Sequence, residues 1–503
     1  MNTLSRRGFL AASAAALAAA HLPRAAMAQT TAPLGLSAEA RTLDINGRAA
    51  KVFGLAGPGG QGLILDPGQR FQVDLTNNLD VGTIIHWHGQ IPPNAQDGVP
   101  DMPLPLLKPG ETRSYDFTPL AGTYWMHSHV PIQEMNLLAA PLIVRSAEDV
   151  AADRQEVTLF LHDFAFKTPE EVMAEIAEGH GGGHGAGHGS GSSALPMQGM
   201  PMGGGMGAMQ GMDHSAMGNM PMGGMMDMGG MAMDLNDYDW DAYLANDRTL
   251  SDPEVVQVER GGRIRLRVIN AAAATVFWID SGAAPTRVIA VDGHNVRPVA
   301  GSRFGIAMGQ RLDIEIDLPN EAGAWPILAL REGARERTGI ILATSGAQIA
   351  KVAELADQEA PAFDIDLSQE LTFEALDNLP ERAVDRSLMV MLGGTMQPYV
   401  WTIDGAVWGQ HRPITAKAGE RVLLGFHNMS MMGHPMHLHG HVFQVVDING
   451  RKVNGARRDT VYVPPMSMVT IALDAGEAAR WMLHCHHMPH LETGMMTEFA
   501  VSA

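Results

Sequence analysis

Three things are scarce in this chain of 503 residues, and each scarcity excludes something. Cysteine occurs once, as Cys485, so no disulfide can form within the chain even in an oxidising compartment, and the one thiol stays free for chemistry. Basic residues are outnumbered, 35 Lys and Arg against 55 Asp and Glu; the net charge of −20 argues against nucleic acid and anionic membrane as partners and favours cations. Beyond the N-terminus no stretch approaches the roughly 18 apolar residues that a membrane span requires, so the mature chain is expected to be soluble, with no membrane span. Methionine and glycine are instead in excess, at 34 and 56 residues.

The N-terminus reads as an export signal. Ser5-Arg6-Arg7-Gly8-Phe9-Leu10 precedes an Ala/Leu-rich run, and Ala26-Met27-Ala28 supplies a small-x-small cleavage site. Paired arginines ahead of an apolar segment resemble a twin-arginine signal over 1–28, which predicts a periplasmic protein exported already folded.

Downstream of that signal, short alternating strands dominate, punctuated by turns such as Pro67-Gly68 and Pro109-Gly110. A repeat organises them. Gly68-x-Arg70 is followed by Asn77, Gly261-x-Arg263 by Asn270, and Gly419-x-Arg421 by Asn428, with equal offsets and apolar alternation between. Three copies so far apart predict three homologous β domains, over 31–148, 155–346 and 361–503, with a short helix near Pro169 to Ala177. After the repeat come His86-Trp87-His88-Gly89 in the first copy and His437-Leu438-His439-Gly440 in the third, where the second has Phe277-Trp278-Ile279-Asp280. Each copy then closes on an aromatic-led strand: Trp125-Met126-His127-Ser128-His129, Trp325-Pro326-Ile327-Leu328, and Trp481-Met482-Leu483-His484-Cys485-His486. Packing demands should be alike in three homologous cores, so histidines confined to the outer copies predict metal ligation between domains one and three.

The second domain is interrupted over 179–235 by a segment rich in Gly, His and Met. Fourteen methionines fall between Met197 and Met233, preceded by His180, His184 and His188. Such a composition cannot bury enough surface to offset its ordering entropy and is expected to be a disordered excursion. Thioethers are soft ligands suited to Cu(I), which predicts additional Cu(I) binding there; the alternative is an inert linker.

Cys485 lies between two histidines and is followed by His490 and Met495. One thiolate, imidazoles and a distant thioether are the donors of a blue-copper electron-transfer site, trigonal His₂Cys with a long axial Met, and the missing histidine can come from His434-Pro435-Met436-His437. Adjacent strand residues point to opposite faces, so Cys485 can serve one copper while His484 and His486 serve others behind it.

Taken together these four motifs resemble the multicopper oxidase family over the whole mature chain except the Met-rich segment. The resemblance implies an all-β fold of three cupredoxin-like Greek-key β-sandwich domains and four coppers per chain. It places type 1 copper on His434, Cys485 and His490 with Met495 axial, and type 2 on His86 and His437. The type 3 pair falls to His88, His127, His129, His439, His484 and His486. It also implies dioxygen as acceptor, reduced to water, with Asp97 as a catalytic proton relay unless that residue is a plain loop aspartate. Many bacterial relatives carry a second acid directly after the last type 1 histidine, where this chain has Leu491; Glu492 comes next. His487 is expected to be partly exposed and unliganded, His427 and His441 structural, and His162, His294 and His411 ordinary.

The leading expectation for function is a periplasmic cuprous oxidase conferring copper tolerance, with Cu(I) as substrate. It draws on the export signal, the Met-rich segment and Met429, Met431 and Met432 ahead of His434. Two departures from copper-efflux oxidases stand out: their insertion is usually in the third domain, and Ser430 here replaces a frequent aspartate. A laccase acting on phenols or aromatic amines is the alternative, and a non-enzymatic copper-binding or scaffold protein the second.

Overall fold

The structure, a computed structural model, describes residues 32–179 and 235–503. The expected signal peptide and nearly all of the Met-rich segment lie outside the described residues.

Six sheets follow one another in three pairs, forming cupredoxin-like β-sandwiches. In the first pair, Arg48–Gly57, Leu34–Ile45, Phe71–Asn77 and Thr112–Phe117 lie side by side, and the second sheet orders Leu63–Leu65, Ala139–Val144, Gly122–Ser128 and Ile85–His88. The middle pair has six and five strands and the last seven and five. Phe71–Asn77 alternates buried with half-buried residues, as a strand covered on one face should. Ile85–His88 and Gly122–Ser128 are buried at every position, because their second face meets another sandwich rather than solvent. Apolar contacts cross the boundaries as well: Trp125 and Ile143 pack on Phe160 and Ile269.

The repeated glycine and asparagine have one structural job in all three copies. Gly68, Gly261 and Gly419 turn the chain with φ of +76°, +64° and +81°, a region only glycine enters cheaply. Nine residues on, a fully buried asparagine amide ties down the loop after its strand. Asn77 donates to the carbonyls of Val81 and Leu107, Asn270 to those of Thr275 and Ile306, and Asn428 to those of Met432, Val463 and Pro464. Each tied loop leads into the strand that in the outer copies carries histidines.

The helix Pro169–Ala177 forms where the spacing predicts. Thr168 and Glu171 make a reciprocal capping box, proline occupies the first turn, and Val172 and Ile176 face the core.

Candidate metal centre

Strand register assembles the site. In the first sandwich Ile85–His88 pairs with Gly122–Ser128 so that His86 lies opposite His127. In the third, His434–Leu438 pairs with Arg480–Cys485, setting His437 opposite His484 and Met436 opposite Cys485. The corresponding middle pair sets Phe277 opposite Arg331. All ten histidines singled out by the sequence are buried, and those of the first sandwich meet those of the third.

Eight imidazoles converge in one cluster. Nε2 of His86 and Nε2 of His437, from different sandwiches, face each other at 3.3 Å. His129, His439 and His484 form a trio of donors close enough for one ion, with Nε2 of His439 and His484 3.1 Å apart. The rings of His88, His127 and His486 lie 4.9–5.6 Å apart, centre to centre. Among the described residues, Nδ1 of His88 and Nε2 of His127, His129 and His486 have no hydrogen-bond partner although buried. An unsatisfied buried nitrogen costs about 1–3 kcal/mol, a cost that metal ions bound among these rings would relieve.

The opposite ring nitrogens are held by the protein, which fixes which nitrogen faces inward. Nδ1 of His86 donates to the Asp97 carbonyl, that of His437 to the Asp459 carbonyl, and that of His484 to the Cys485 carbonyl. His439 Nδ1 donates to the Asp97 carboxylate at 2.8 Å. His88 is turned the other way, its Nε2 donating to Asp459 and Thr460 at 3.0 Å. Burial drives the imidazoles of His88, His127, His129, His437, His439 and His486 well below their ordinary pKa, and that of His484 down to about 3, so these seven are neutral.

On the other face of Arg480–Cys485 lies a second donor set. Nδ1 of His434 and Nδ1 of His490 are 3.2 Å apart, and the Cys485 sulfur is 3.7 Å from each. A point equidistant from the three sits about 2 Å from each, the reach of a transition-metal bond to nitrogen or sulfur. Met495 is wholly buried, its backbone tied to both Cys485 and His490. Burial raises the Cys485 thiol pKa, so a metal must displace the proton. Trp401 packs on His490 with ring centres 4.0 Å apart. Ser430 Oγ accepts from His434 Nε2 at 2.8 Å, so the serine orients this candidate ligand.

Asp97 is 1% exposed, which removes the surface-loop reading. Gly98 makes this possible: at φ +89° its missing side chain leaves room for the Ile85 carbonyl.

Sequence reasoning missed three contributors. Glu134, on the short helix Pro131–Met135, places one carboxylate oxygen 2.7 Å from His127 Nδ1 and the other 3.8 Å from His486 Nδ1. It stands by the cluster, whereas Glu492 is exposed with Glu170 as its charged neighbour. Asp459 is clamped by Arg311 of the middle sandwich, one bond at 2.7 Å, and in turn holds His88. Gly309, also from the middle sandwich, lies so close that a Cβ would sit 2.9 Å from the His486 ring. The middle copy therefore supports the cluster without donating to it. The pattern of Glu134, five residues past His129, was visible as a buried acid only once the helix was placed.

One expectation is corrected. His487 is not partly exposed but 3% exposed, because Asp237, on the segment re-entering after the Met-rich stretch, covers it at 3.4 Å. The remaining described histidines lie outside both donor sets. His441 bonds the His439 carbonyl and accepts from Gly476; His162 bonds the Ala271 carbonyl; His411 stacks on Trp408. His294 and His427 are half-buried.

Comparison with known proteins agrees with this geometry. Family models described as multicopper oxidase match residues 43–149, 213–347 and 383–503. The chain is 30% identical over 434 residues to multicopper oxidase MmcO of Mycobacterium tuberculosis, covering 86% of this chain and 79% of that one. It is 25% identical over 587 residues to copper resistance protein A of Escherichia coli, covering 95% and 94%. The crystal structure of a multi-copper oxidase from Pseudomonas thermotolerans superposes with a TM-score of 0.66 over 93% of this chain and 98% of that one, at 22% identity. With three matched segments and a relative aligned along most of both chains, this chain belongs to the multicopper oxidase family.

Proposed function

We propose that this oxidoreductase is a cuprous oxidase: it takes electrons one at a time from Cu(I) and passes them to dioxygen, in the periplasm, for copper tolerance. Four coppers would be held as the resemblance implies: His434, Cys485, His490 and Met495 hold type 1, His86 and His437 type 2. The type 3 pair would rest on His88, His127 and His486 for one ion and His129, His439 and His484 for the other. When bound, copper supplies single-electron acceptance at the first site and four-electron reduction of dioxygen to water at the other three. The protein supplies orientation, dryness and protons; Asp97, touching His439 and His86, is the carboxylate we assign to proton delivery.

The observation that carries the choice of Cu(I) is the cover over the type 1 site. His434 and His490 are both 0% exposed, so neither offers an edge against which a phenol ring could lie. Their outer nitrogens instead meet Ser430, in the Met429–Met432 loop, and Asp237, where the chain returns from the Met-rich stretch. Met429, Met431 and Met466 are more than half exposed, an uncommon use of methionine that offers soft donors at the surface. Similarity to copper resistance protein A supports the same reading.

Oxygen uptake by copper-loaded protein decides the matter. Uptake with a Cu(I) complex, and phenol turnover only after Cu(II) is added, is the expected result. Rapid turnover of a phenol alone would make the protein a laccase.

A further inference from the structure

Where the first two sandwiches diverge, the edge strand Leu63–Leu65 of one and the strand Gln155–Phe164 of the other border a cavity of about 550 Å³. That volume suits a small organic molecule and far exceeds the room one water needs. Its wall is mostly apolar: Ile143 and Phe160 are 2% and 7% exposed, with Pro141 beside them. Ile64, in the middle of the edge strand, is 59% exposed while Leu63 and Leu65 are buried, because alternation turns it away from the core of its own sandwich and toward the cavity. Gly62, at φ +91°, lets the strand press on the neighbouring one, since a Cβ there would collide with the Pro141 carbonyl. No residue of either donor set lines this space.

The polar rim carries one unbalanced charge. Asp247 is paired with Arg41 and Arg248 with Asp252, so those charges cancel. Glu254 is half-buried and has no cationic partner among the described residues. Asn246 holds it in place: Oδ1 accepts from the Phe160 amide at 2.7 Å, and Nδ2 donates to the Thr158 carbonyl at 2.8 Å and to one Glu254 oxygen at 2.5 Å. A carboxylate fixed beside an apolar wall, where water is partly displaced, attracts a cation more strongly than one in open solvent, and the net charge of −20 acts in the same direction.

We propose that this cavity binds a lipophilic organic cation. Its aromatic or alkyl body lies against Ile64, Pro141, Ile143 and Phe160, and its ammonium group, primary or quaternary, faces Glu254. An anion of the same size is repelled by Glu254, and a neutral molecule forgoes the charge interaction. The site is separate from electron entry and oxygen reduction, and it stands whichever reductant the enzyme uses.

Calorimetric titration of the full, copper-loaded protein with naphthylmethyl-trimethylammonium tests it, beside neutral naphthylmethanol and anionic naphthoate. The cation should bind tightest and the anion weakest. Glu254→Gln keeps an acceptor for Asn246 while removing the charge, and should weaken the cation about 10-fold and leave the alcohol unchanged. Ile64→Ser, at an exposed position, removes apolar wall and should weaken cation and alcohol alike. The type 1 visible spectrum and copper content report whether each variant is intact. Crystals soaked in the brominated cation should show bromine anomalous density between Ile64 and Glu254. Equal affinity for cation and alcohol, or a cation affinity that Glu254→Gln leaves unchanged, would overturn the proposal. So would density elsewhere on the surface, or density in crystals without binding in solution, which would mean occupation at crystal concentration only.

Discussion

Glu134 shows what one side chain decides here. Its two oxygens address imidazoles from different sandwiches, His127 of the first and His486 of the third, that would share one copper. One oxygen accepts from His127 Nδ1 at 2.7 Å, while the other stands 3.8 Å from His486 Nδ1 without a hydrogen bond; an amide would bring a donor end where the carboxylate has only acceptors. Glu134→Gln should therefore weaken retention of that copper about 10- to 100-fold, the usual cost of losing a group that orients a metal-bound histidine. Copper per chain after dialysis, together with the near-ultraviolet absorption of the coupled pair, measures it; full copper and an unaltered spectrum would refute the role. Cys485→Ser makes the complementary case. It should abolish the blue absorption and electron entry while the eight clustered histidines still take up copper, and a variant that kept its colour would overturn the type 1 assignment.

At the scale of elements, the asparagine that ends each repeat is the anchor to test. Asn428 donates its amide to the carbonyls of Met432, Val463 and Pro464 and accepts from the Ser430 amide, and Ser430 in turn holds His434. Asn428→Ala should cost on the order of 1–3 kcal/mol for each buried group it strands and also perturb the blue absorption. Asn270→Ala, in the copy without ligands, should destabilise comparably with less effect on colour. Denaturant midpoints read beside visible spectra separate the two.

Elements were the scale most open to the sequence. The three copies, the helix at Pro169, and the partition of histidines to the outer copies all rest on local pattern, and strand alternation alone separates Cys485 from His484 and His486. What stayed hidden depends on contacts between distant segments. His487 looked exposed because nothing in its own neighbourhood announces that Asp237 folds over it. Arg311 and Asp459 are ordinary as letters, yet they meet across a sandwich boundary at 2.7 Å and set the orientation of His88. Pairings of that kind depend on topology, which composition and spacing do not encode.

For the whole molecule, the concentration of neutral buried imidazoles sets a response to acid. Their folded pKa values lie below the unfolded one, so the unfolded chain binds more protons and acid favours it. The stability these groups contribute is complete above about pH 6.5 and is lost as pH falls toward 3–4, the range to which burial takes His484, His487 and His441. Copper-free protein should show denaturant midpoints that drop steeply between pH 7 and 5, and bound copper should raise those midpoints without flattening the slope, because the folded imidazoles are already unprotonated over this range. A copper-free protein indifferent to pH over this interval would contradict neutral burial.

The face-to-face pair His86 and His437 is separated by 351 positions in the chain. The two trios and the thiolate set likewise wait for residues 484–490, which are synthesised long after the first-sandwich histidines. No partial chain that stops short of them can close those sites, however much of it has folded. Metal capture would thus wait until the first and third sandwiches have met, as a seal on their contact and not as a seed for it.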